Sequence, residues 1–318
     1  MKPSPRVVVT SPSFAKRPDL LAALAALGLE VIVNREQGEL AGEELASFIR
    51  ASRASALVVG REVLTPTVLD GCPELLFVAK YGVGLDNLDP AELTRRGIGL
   101  GWTGGVNKRP VSELVLGFML SHFRNITRSV TRMRSGAWVK DGGHGLADLT
   151  VGIVGMGHIG ADLAQVLQVF GCHLLYTDII DKSAVATPLG ASPVSYVELV
   201  RTADVITFHV PATPTTHHMF GPSQIANVRP NTLVINASRG TVVDFEATCT
   251  AVVQGSLGGF AADVFPHEPY DARSWGDCER LYFTPHIAGN SQEAVLAMGR
   301  SAIEHIAAFF GKPLPSSP

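Results

Sequence analysis

Short β-branched runs alternate with longer amphipathic segments along the first hundred residues. The runs RVVVT (6–10), EVIVN (30–34), ALVVG (56–60) and LLFVA (75–79) predict buried strands. Between the first two, the segment 20–28 carries leucines at helical spacing and ends in a glycine, which predicts a helix. Strands that alternate with helices in this way form parallel sheets covered on both faces. This part of the chain therefore predicts a small α/β domain.

A long helical pattern over residues 110–134 precedes a second α/β series. A last helix over 292–310 has few partners nearby in the sequence, and we predict that it crosses back to the first domain. The fold class is therefore α/β with two doubly wound parallel-sheet domains: residues 1–103 completed by 290–318, and residues 104–289. The predicted strands of the second domain are TVGIVG (150–155), HLLYTD (173–178), DVITFHV (204–210), TLVINAS (232–238), GFAADV (259–264) and RLYFTP (280–285).

Composition narrows the class of protein. Of the 318 residues, 46% are hydrophobic and 17% are charged, so the chain is apolar enough to bury a large core. The formal net charge of -3 provides no general attraction for nucleic acids or anionic membranes, and neither is expected as a partner. A small anionic ligand must therefore be held by a local site.

Cysteine usage and hydropathy indicate a cytoplasmic protein. Cys72, Cys172, Cys249 and Cys278 lie far apart and form no C-x-x-C pair, which argues against a disulfide framework or a zinc site. The longest apolar stretch, 20–29, is far shorter than the roughly 18 residues of a membrane span. Prolines and an arginine interrupt the N-terminal stretch, so it lacks the apolar core of a signal peptide.

The stretch VGIVGMGHIG (151–160) contains a G-x-G-x-x-G motif between a predicted strand and a predicted helix, which is typical of a dinucleotide-binding loop. Gly155 permits the tight turn, Gly157 lets backbone N–H groups approach a pyrophosphate, and Gly160 lets the helix lie close to the sheet. Asp178 ends the next predicted strand, where a carboxylate accepts hydrogen bonds from ribose hydroxyls. No Arg or Lys occurs among the three residues that follow it, which favours NAD over NADP.

Polar side chains follow three further predicted strands of the second domain. Arg239 lies in INASRG, Asp263 and Glu268 lie in DVFPHEP, and His286 lies in FTPHIAG. Taken singly, an Arg at a strand end is usually a surface charge, and a lone His is more often a hydrogen-bonded core residue than a functional one. Ligands of such sheets bind at the carboxyl ends of the strands. Together these residues supply an anion clamp, a carboxylate and an imidazole, which suit the oxidation of a carboxylate-bearing alcohol or the reverse reduction.

The chemistry assigns a role to each group. A guanidinium holds a carboxylate through two hydrogen bonds and orients the neighbouring C–OH. An imidazole takes the hydroxyl proton as hydride leaves, or returns it in reduction, and a neighbouring carboxylate favours the protonated imidazole. The nicotinamide carries the hydride, so no metal is needed.

The chain resembles the D-isomer-specific 2-hydroxyacid dehydrogenases over essentially its whole length. The resemblance implies an NAD-binding Rossmann domain, a smaller flavodoxin-like substrate domain built from both chain ends, and a homodimer held largely by the long helix of the NAD domain. The matching stretches, in order, are KYGVGLDNLD (80–89), VGIVGMGHIG (151–160), FHVPATPTT (208–216), INASRGTVVD (235–244), AADVFPHEP (261–269) and TPHIAG (284–289).

The resemblance also implies site residues. The implied catalytic set is Arg239, Glu268 and His286. The implied cofactor-binding residues are Gly155, Gly157, His158, Ile159, Gly160, Asp178, Val210, Pro211, Thr216, Ala237, Ser238, Asp263 and Gly289. The implied substrate-binding residues are Lys80, Tyr81, Gly82, Val83 and Gly84, together with Arg239 and His286.

Three basic residues, Lys80, Lys108 and Arg109, bear on which 2-hydroxy acid is the substrate. Lys80 stands where phosphoglycerate dehydrogenases have an arginine, and Lys108 and Arg109 stand where many relatives have small polar residues. One hypothesis is that these three side chains bind a second anionic group of a phosphorylated, phosphonate or dicarboxylic 2-hydroxy acid such as phosphoglycerate. The alternative is that they are solvated loop residues. Ser238, next to the cofactor, is a milder departure from the family pattern.

Two other functions are compatible with the same motifs. One is a phosphite or phosphonate-type dehydrogenase, since oxidation of a small inorganic or one-carbon acid such as phosphite or formate uses the same cofactor. The other is an NAD-sensing, corepressor-like binding protein, because relatives of that kind keep the catalytic triad. Turnover measurements separate these functions from a 2-hydroxyacid dehydrogenase.

Overall fold

The computed structural model describes residues 5–35 and 38–314, and the chain divides into two compact units. Unit 1 consists of Met1–Asn107 and Gln292–Pro318, and unit 2 consists of Lys108–Ser291. The ends of the first predicted domain, 1–4 and 315–318, lie outside the described residues. Each unit is described by itself below.

In the described part of unit 1, five parallel strands form a sheet in the order β2-β1-β3-β4-β5. The inner strands β1, β3 and β4 consist mostly of buried aliphatic residues, as expected of strands covered on both faces, whereas the edge strand β2 is only partly buried. The order is that of flavodoxin-like sheets. The strands are β1 Arg6–Val9, β2 Glu30–Val33, β3 Ala56–Val59, β4 Phe77–Lys80 and β5 Gly99–Gly101.

Helices cover both faces of this sheet, and three of them, α1, α4 and α5, begin with a capping side chain followed by proline. The Thr65 and Asp89 side chains accept hydrogen bonds from the first turns of α4 and α5, each of which has proline at its first position. The last helix, α13, packs on the same face as α2. The helices of unit 1 are α1 Pro12–Ala15, α2 Pro18–Ala25, α3 Gly42–Ala51, α4 Pro66–Asp70, α5 Pro90–Arg95 and α13 Gln292–Phe309.

Within the residues described for unit 2, seven parallel strands form a sheet in the order β12-β11-β10-β9-β6-β7-β8. Chain order reverses between β6 and β9, which is the switch point where dinucleotides bind in such sheets. The strands are β6 Thr150–Val154, β7 His173–Thr177, β8 Ala191–Pro193, β9 Val205–Phe208, β10 Leu233–Asn236, β11 Gly259–Ala262 and β12 Leu281–Phe283.

Helices also cover both faces of the second sheet, with α6 and α8 packed together on one face. Among the described residues, no helix of either unit combines the length and apolar content needed to cross a bilayer. The helices of unit 2 are α6 Lys108–Phe123, α7 Ile126–Arg134, α8 His158–Gln168, α9 Ser183–Ala186, α10 Tyr196–Thr202, α11 Pro222–Ile225 and α12 Phe245–Gln254.

The predicted α/β class with two parallel sheets is confirmed, but the single helix predicted over 110–134 is wrong, and the short strands β5 and β8 were not predicted. The helix is broken, because Asn125 adopts a left-handed conformation (φ 51°) between α6 and α7. Asparagine tolerates that conformation better than most residues. The strand β5 was missed because it contains two glycines. A Cβ at Gly99 would approach the Phe77 ring to 2.7 Å, so the small residue permits close packing.

Candidate active site

The three polar stretches singled out in the sequence emerge at one edge of the unit 2 sheet. Strands β10, β11 and β12 are adjacent and parallel, with Asn236 paired to Ala262 and Ala262 paired to Phe283. Arg239, Asp263 and His286 follow these positions by one to three residues. Since neighbouring strands lie about 4.8 Å apart, the three strand ends span roughly 10 Å.

The Arg239 loop is fixed by its own hydrogen bonds. The Asn236 side chain accepts from the Ser238 N–H and donates to the Arg239 carbonyl oxygen at 2.9 Å. The Arg239 guanidinium donates to the Ser238 carbonyl oxygen at 2.7 Å. Gly240 lies directly against Phe265, because a Cβ there would overlap the Phe265 carbonyl. The loop that carries Arg239 therefore rests on the segment that carries Glu268.

His286 and Glu268 form a hydrogen-bonded pair, with Nδ1 2.7 Å from Oε2. The other carboxylate oxygen of Glu268 accepts from the Phe265 N–H at 3.2 Å, which anchors the carboxylate to the loop after β11. The side chains of His286 and Glu268 are 45% and 26% exposed, so the pair lies at the surface of unit 2. His286 also has a positive φ of 53°, in a turn closed by a bond from its N–H to the Thr284 carbonyl.

The Asp263 carboxylate anchors the turn that contains His286. It accepts hydrogen bonds from the Thr284 hydroxyl at 2.6 Å and from the N–H groups of Ile287 and Ala288 at 2.8 Å each. The residue is fully buried, and burial raises the pKa of Asp263, while the three hydrogen bonds oppose the shift. Because the donors lie on both sides of His286, Asp263 fixes the backbone that presents the imidazole.

This arrangement assigns the two nitrogens of the His286 ring. Nδ1 faces the Glu268 carboxylate and so carries a hydrogen as donor. Nε2 is then the atom that can exchange a proton with a ligand. A carboxylate beside the ring stabilises the protonated imidazole, which suits it to give and take a proton in turn.

The glycine loop joins β6 to α8 beside β9. Gly155 has a φ of 95°, and a Cβ there would lie 2.6 Å from the His209 carbonyl oxygen, so glycine is required. A Cβ at Gly160 would overlap the Gly155 carbonyl, so that glycine lets the helix approach the turn. Among the described residues, nothing lies within 4 Å of a Cβ built at Gly157. Protein packing therefore does not demand glycine at 157, and the open space fits a dinucleotide phosphate at the helix N-terminus.

Asp178 lies against this loop. Its Oδ2 accepts from the Met156 N–H at 2.8 Å and its Oδ1 accepts from the Ile180 N–H at 3.2 Å. A carboxylate has about four lone-pair sites, so capacity for ribose hydroxyls remains. Ile179 is fully exposed next to it. The residues present thus fit NAD.

The remaining cofactor residues predicted from the sequence lie around the same edge of unit 2. His158 and Ile159 begin α8, and Gly289 follows the turn that Asp263 holds. The others, Val210, Pro211, Thr216, Ala237 and Ser238, follow β9 and β10.

An open depression of about 470 Å³ lies among these segments. Three of its lining residues lie in the stretch FHVPATPTT (208–216) and Thr241 lies in INASRGTVVD (235–244), both of which the sequence had already singled out, whereas His217 was not predicted. The lining residues are Ala212, Thr213, Pro214, His217 and Thr241.

The predicted substrate residues Lys80–Gly84 lie at the end of β4 in unit 1. Lys80 is only 6% exposed, and its ammonium donates to the Gly60 carbonyl and to Asn87 Oδ1. Tyr81 is buried edge-on against Phe14, at 5.3 Å between ring centroids, and burial raises the pKa of its phenol. The segment then turns through Gly82, whose φ is 135°.

The other two basic residues of the second-anion hypothesis lie at the start of α6. Lys108 is exposed. Arg109 forms an ion pair with Asp162 of α8 at 3.2 Å, and the Asp162 side chain is 3% exposed. Arg109 and Lys80 therefore each have a polar partner within their own unit.

Comparison with known proteins identifies the family. Residues 116–288 match the model described as "D-isomer specific 2-hydroxyacid dehydrogenase, NAD binding domain". The chain belongs to the D-isomer-specific 2-hydroxyacid dehydrogenase family. The resemblance predicted from the sequence is confirmed, and with it an NAD-dependent oxidoreductase of the 2-hydroxyacid class.

Several relatives resemble this 2-hydroxyacid dehydrogenase over most of its length. A glyoxylate reductase of Thermococcus litoralis is 34% identical over 257 residues, 78% of each chain. The D-3-phosphoglycerate dehydrogenase of Escherichia coli K12 is 35% identical over 267 residues, which cover 81% of this chain but 64% of that enzyme. A Thermus thermophilus protein of known crystal structure is 30% identical, with a TM-score of 0.85 over 98% of this chain and 99% of the other.

Proposed function

We propose that the catalytic set is Arg239, Glu268 and His286, and that the enzyme transfers hydride between NAD(H) and a small D-2-hydroxy acid or its 2-keto acid. The observation that carries the proposal is the 2.7 Å bond between His286 and Glu268, at the sheet edge that also bears Arg239 and the glycine loop. An imidazole, its carboxylate and an anion-binding guanidinium are what this proton and hydride exchange requires.

The role of each side chain follows from its contacts. The Arg239 guanidinium binds the substrate carboxylate and orients the carbon that reacts. His286 Nε2 accepts the hydroxyl proton during oxidation and returns it to the carbonyl oxygen during reduction. Glu268 stabilises the protonated ring and holds its orientation through Nδ1. NAD, when bound, supplies or accepts the hydride. The loop 81–84 offers backbone N–H groups to the substrate carboxylate.

The cofactor site we propose is the glycine loop with Asp178. Gly157 and the N-terminus of α8 receive the pyrophosphate, and Asp178 accepts hydrogen bonds from the adenosine ribose. A 2′-phosphate would be repelled by Asp178 and would find no Arg or Lys among the next three residues, which supports NAD rather than NADP. Asp263 lies under the His286 turn, and the segments that contain Pro211 and Ala237 complete the site.

The substrate we favour is a short 2-keto acid with one carboxylate, such as glyoxylate. Its support is twofold: a glyoxylate reductase is among the relatives, and Lys80 and Arg109 have internal partners rather than ligand-facing charges. A substrate with a second anionic group, such as the phosphoglycerate couple, is the second candidate, supported by the relatives named D-3-phosphoglycerate dehydrogenase.

A panel assay tests the activity. NADH oxidation is measured with glyoxylate, pyruvate, hydroxypyruvate, oxaloacetate and phosphohydroxypyruvate, and NAD reduction is measured with phosphite and formate. We expect turnover with the keto acids and the highest kcat/KM for a monoanion. Turnover of phosphite or formate alone would overturn the proposal. No turnover of any compound, together with tight NADH binding, would favour a binding protein.

Two variants test the residues. Arg239→Gln and His286→Ala should each lower kcat/KM at least 1000-fold, because each removes a group that the reacting substrate needs. The dissociation constant for NADH should change less than 3-fold. His144→Ala, at an exposed histidine of the same unit, is the matched control and should keep full activity. Variants that retain turnover would refute the assigned roles.

We also propose that the protein is a cytoplasmic homodimer assembled through α7 of unit 2. Three apolar side chains on that helix are exposed: Ile126 at 46%, Val130 at 44% and Met133 at 54%. They are spaced four and three residues apart, so they lie on one face. Trp138 nearby is 78% exposed. A second copy of the chain would cover this face. The four cysteines are free thiols, which suits a reducing compartment.

A further inference from the structure

Unit 1 contains a cluster of polar groups at the carboxyl edge of its sheet. The buried polar cluster consists of Gly60 and Glu62 after β3, Lys80 at the end of β4, and Asn87 beyond the following loop. Lys80 is 6% exposed and Glu62 is 2% exposed. Lysine and glutamate are almost never buried to this degree unless they are paired or hydrogen-bonded, so the cluster requires an explanation.

The four residues hold one another through direct hydrogen bonds. The Lys80 ammonium donates to the Gly60 carbonyl and, at 2.6 Å, to Asn87 Oδ1. The Asn87 amide donates to the carbonyl oxygens of Gly60 at 3.1 Å and Glu62 at 2.6 Å. The Gly60 N–H donates to Glu62 Oε2 at 2.7 Å. Breaking any of these contacts would leave a buried donor or acceptor unsatisfied, and such a loss is costly.

The bond between Lys80 and Asn87 joins the two ends of a loop. Lys80 and Asn87 are seven residues apart, and their side-chain bond ties the two ends of the segment 81–86 together. At the start of the segment the Tyr81 N–H donates to the Val59 carbonyl at 2.8 Å. At its end the Asn87 carbonyl accepts from the Leu64 N–H at 2.8 Å.

A further contact fixes the middle of the loop. The indole N–H of Trp102 donates to the Val83 carbonyl at 2.9 Å. The backbone of the loop is thus held at both ends and at its centre, and the Lys80–Asn87 bond is the contact that joins the ends. Its N–H groups can then be presented to a ligand without further ordering, which lowers the entropic cost of binding.

We propose that Lys80 and Asn87 are positioning residues, which set the backbone of the loop 81–84 so that the N–H groups of residues 82–84 receive the substrate carboxylate, while the Tyr81 N–H is bonded to Val59. This inference rests on the proposed function, which assigns that loop to the substrate. In this proposal Lys80 stabilises the loop through contacts within the protein and does not bind a second anionic group of the substrate. Because the ammonium is bonded to Gly60 and Asn87, it stabilises the loop in the same way for every substrate that binds there, whatever the total charge of the substrate.

Hydrogen–deuterium exchange of the protein without substrate tests the loop itself. In Lys80→Met, which keeps the apolar stem and removes the charge, amides in 81–86 should exchange at least 10-fold faster than in the wild type. Asn87→Ala should give the same local change and provides a second variant if Lys80→Met folds poorly. Lys16→Met, at an exposed lysine of the same unit, is the matched control and should leave exchange unchanged. Unchanged exchange in both cluster variants would overturn the proposal.

Kinetics test the consequence for the substrate. Both variants should lower kcat/KM at least 10-fold, mainly through KM, and by similar factors for monoanionic glyoxylate and for phosphohydroxypyruvate. The NADH dissociation constant should stay within 3-fold of the wild type. Lys80→Arg, which keeps the charge and donors, should recover part of the loss, and the double variant should be little worse than either single one.

The outcomes distinguish a failure of the positioning role from a failure of the proposed function. A loss confined to phosphohydroxypyruvate in Lys80→Met, with Asn87→Ala unaffected, would show that Lys80 binds a second anionic group directly and would overturn the positioning role. Absence of turnover by the wild-type enzyme with every keto acid would refute the proposed function, and the exchange rates would still decide whether the cluster holds the loop.

Discussion

His286 Nδ1 lies 2.7 Å from Glu268 Oε2, although 18 residues separate the two in the chain. The bond joins the turn after β12 to the loop after β11. It also determines which nitrogen of the ring carries a hydrogen toward the protein and which is left for a substrate. The pair therefore has two separable functions, charge stabilisation and orientation, and a conservative substitution can distinguish them.

Glu268→Gln should preserve the size of the side chain while removing its charge. Because the neutral amide no longer stabilises the protonated ring, we expect kcat for keto acid reduction to fall about 10- to 100-fold. The wild-type rate of reduction should decline at alkaline pH, since a general acid must start protonated.

Steady-state pH profiles of kcat/KM between pH 6 and 10 check this prediction. Glu268→Asp keeps the charge on a shorter side chain and serves as the comparison for orientation. A wild-type profile that is flat over this range would argue against His286 as the proton donor. Equal kcat for the wild type and Glu268→Gln would argue against charge stabilisation by Glu268.

Two glycines of the same loop should respond differently to alanine. Gly160→Ala places a methyl group against the Gly155 carbonyl, so we expect the free energy of unfolding to fall by about 1–3 kcal/mol. Gly157→Ala places its methyl group in open space, so stability should be nearly unchanged. It should nevertheless weaken NADH binding at least 10-fold, because the methyl group occupies the proposed pyrophosphate position. Urea unfolding and NADH fluorescence titration measure the two effects, and normal NADH binding by Gly157→Ala would contradict the proposed site.

The position of the polar residues along the unit 2 sheet could be predicted from the sequence because their placement follows a general rule. Parallel strands share one carboxyl edge, so polar residues that directly follow β10, β11 and β12 had to emerge together once those strands were adjacent. Short runs of β-branched and other aliphatic residues likewise predicted most of the strands. The catalytic roles of Arg239, Glu268 and His286 stay predictions until variants are measured.

The features that the sequence did not predict depend on contacts distant in the chain. Lys80 is an ordinary basic residue in a motif, and only the fold shows that Gly60 and Asn87 engage its ammonium. The same holds for Arg109, whose partner Asp162 lies on another helix. The helix break at Asn125 is local, but asparagine also occurs within helices, so composition alone did not distinguish the two conformations.

A partly buried histidine should make stability depend on pH. Burial lowers the pKa of His122 to about 4, with the charges of Arg128 and Arg280 acting in the same direction. The unfolded chain binds this proton near pH 6.5 and the folded chain does not, so stability is full above pH 6.5 and falls as the pH drops toward 4. At pH 4.5 the loss from this group is on the order of 2–3 kcal/mol.

Urea unfolding at pH 7.5 and pH 4.5 isolates the contribution of His122. His122→Gln should reduce the difference in unfolding free energy between the two pH values by about 2–3 kcal/mol, since glutamine does not titrate. His144→Gln, at an exposed position, should leave the difference as it is in the wild type. Equal pH dependence in wild type and His122→Gln would show that burial does not hold this histidine neutral.

The exposed apolar face of α7 predicts a self-association that charge should disrupt. Val130→Glu and Met133→Glu each place a carboxylate where a second copy would bury an apolar side chain, and an unpaired buried charge is strongly unfavourable. Light scattering after size exclusion, or sedimentation at micromolar concentration, should show a dimer for the wild type and a monomer for both variants. Val253→Glu, at a 54% exposed valine of α12, is the matched control and should remain a dimer. A monomeric wild type, or variants that keep the dimer mass, would show that another surface or none mediates assembly.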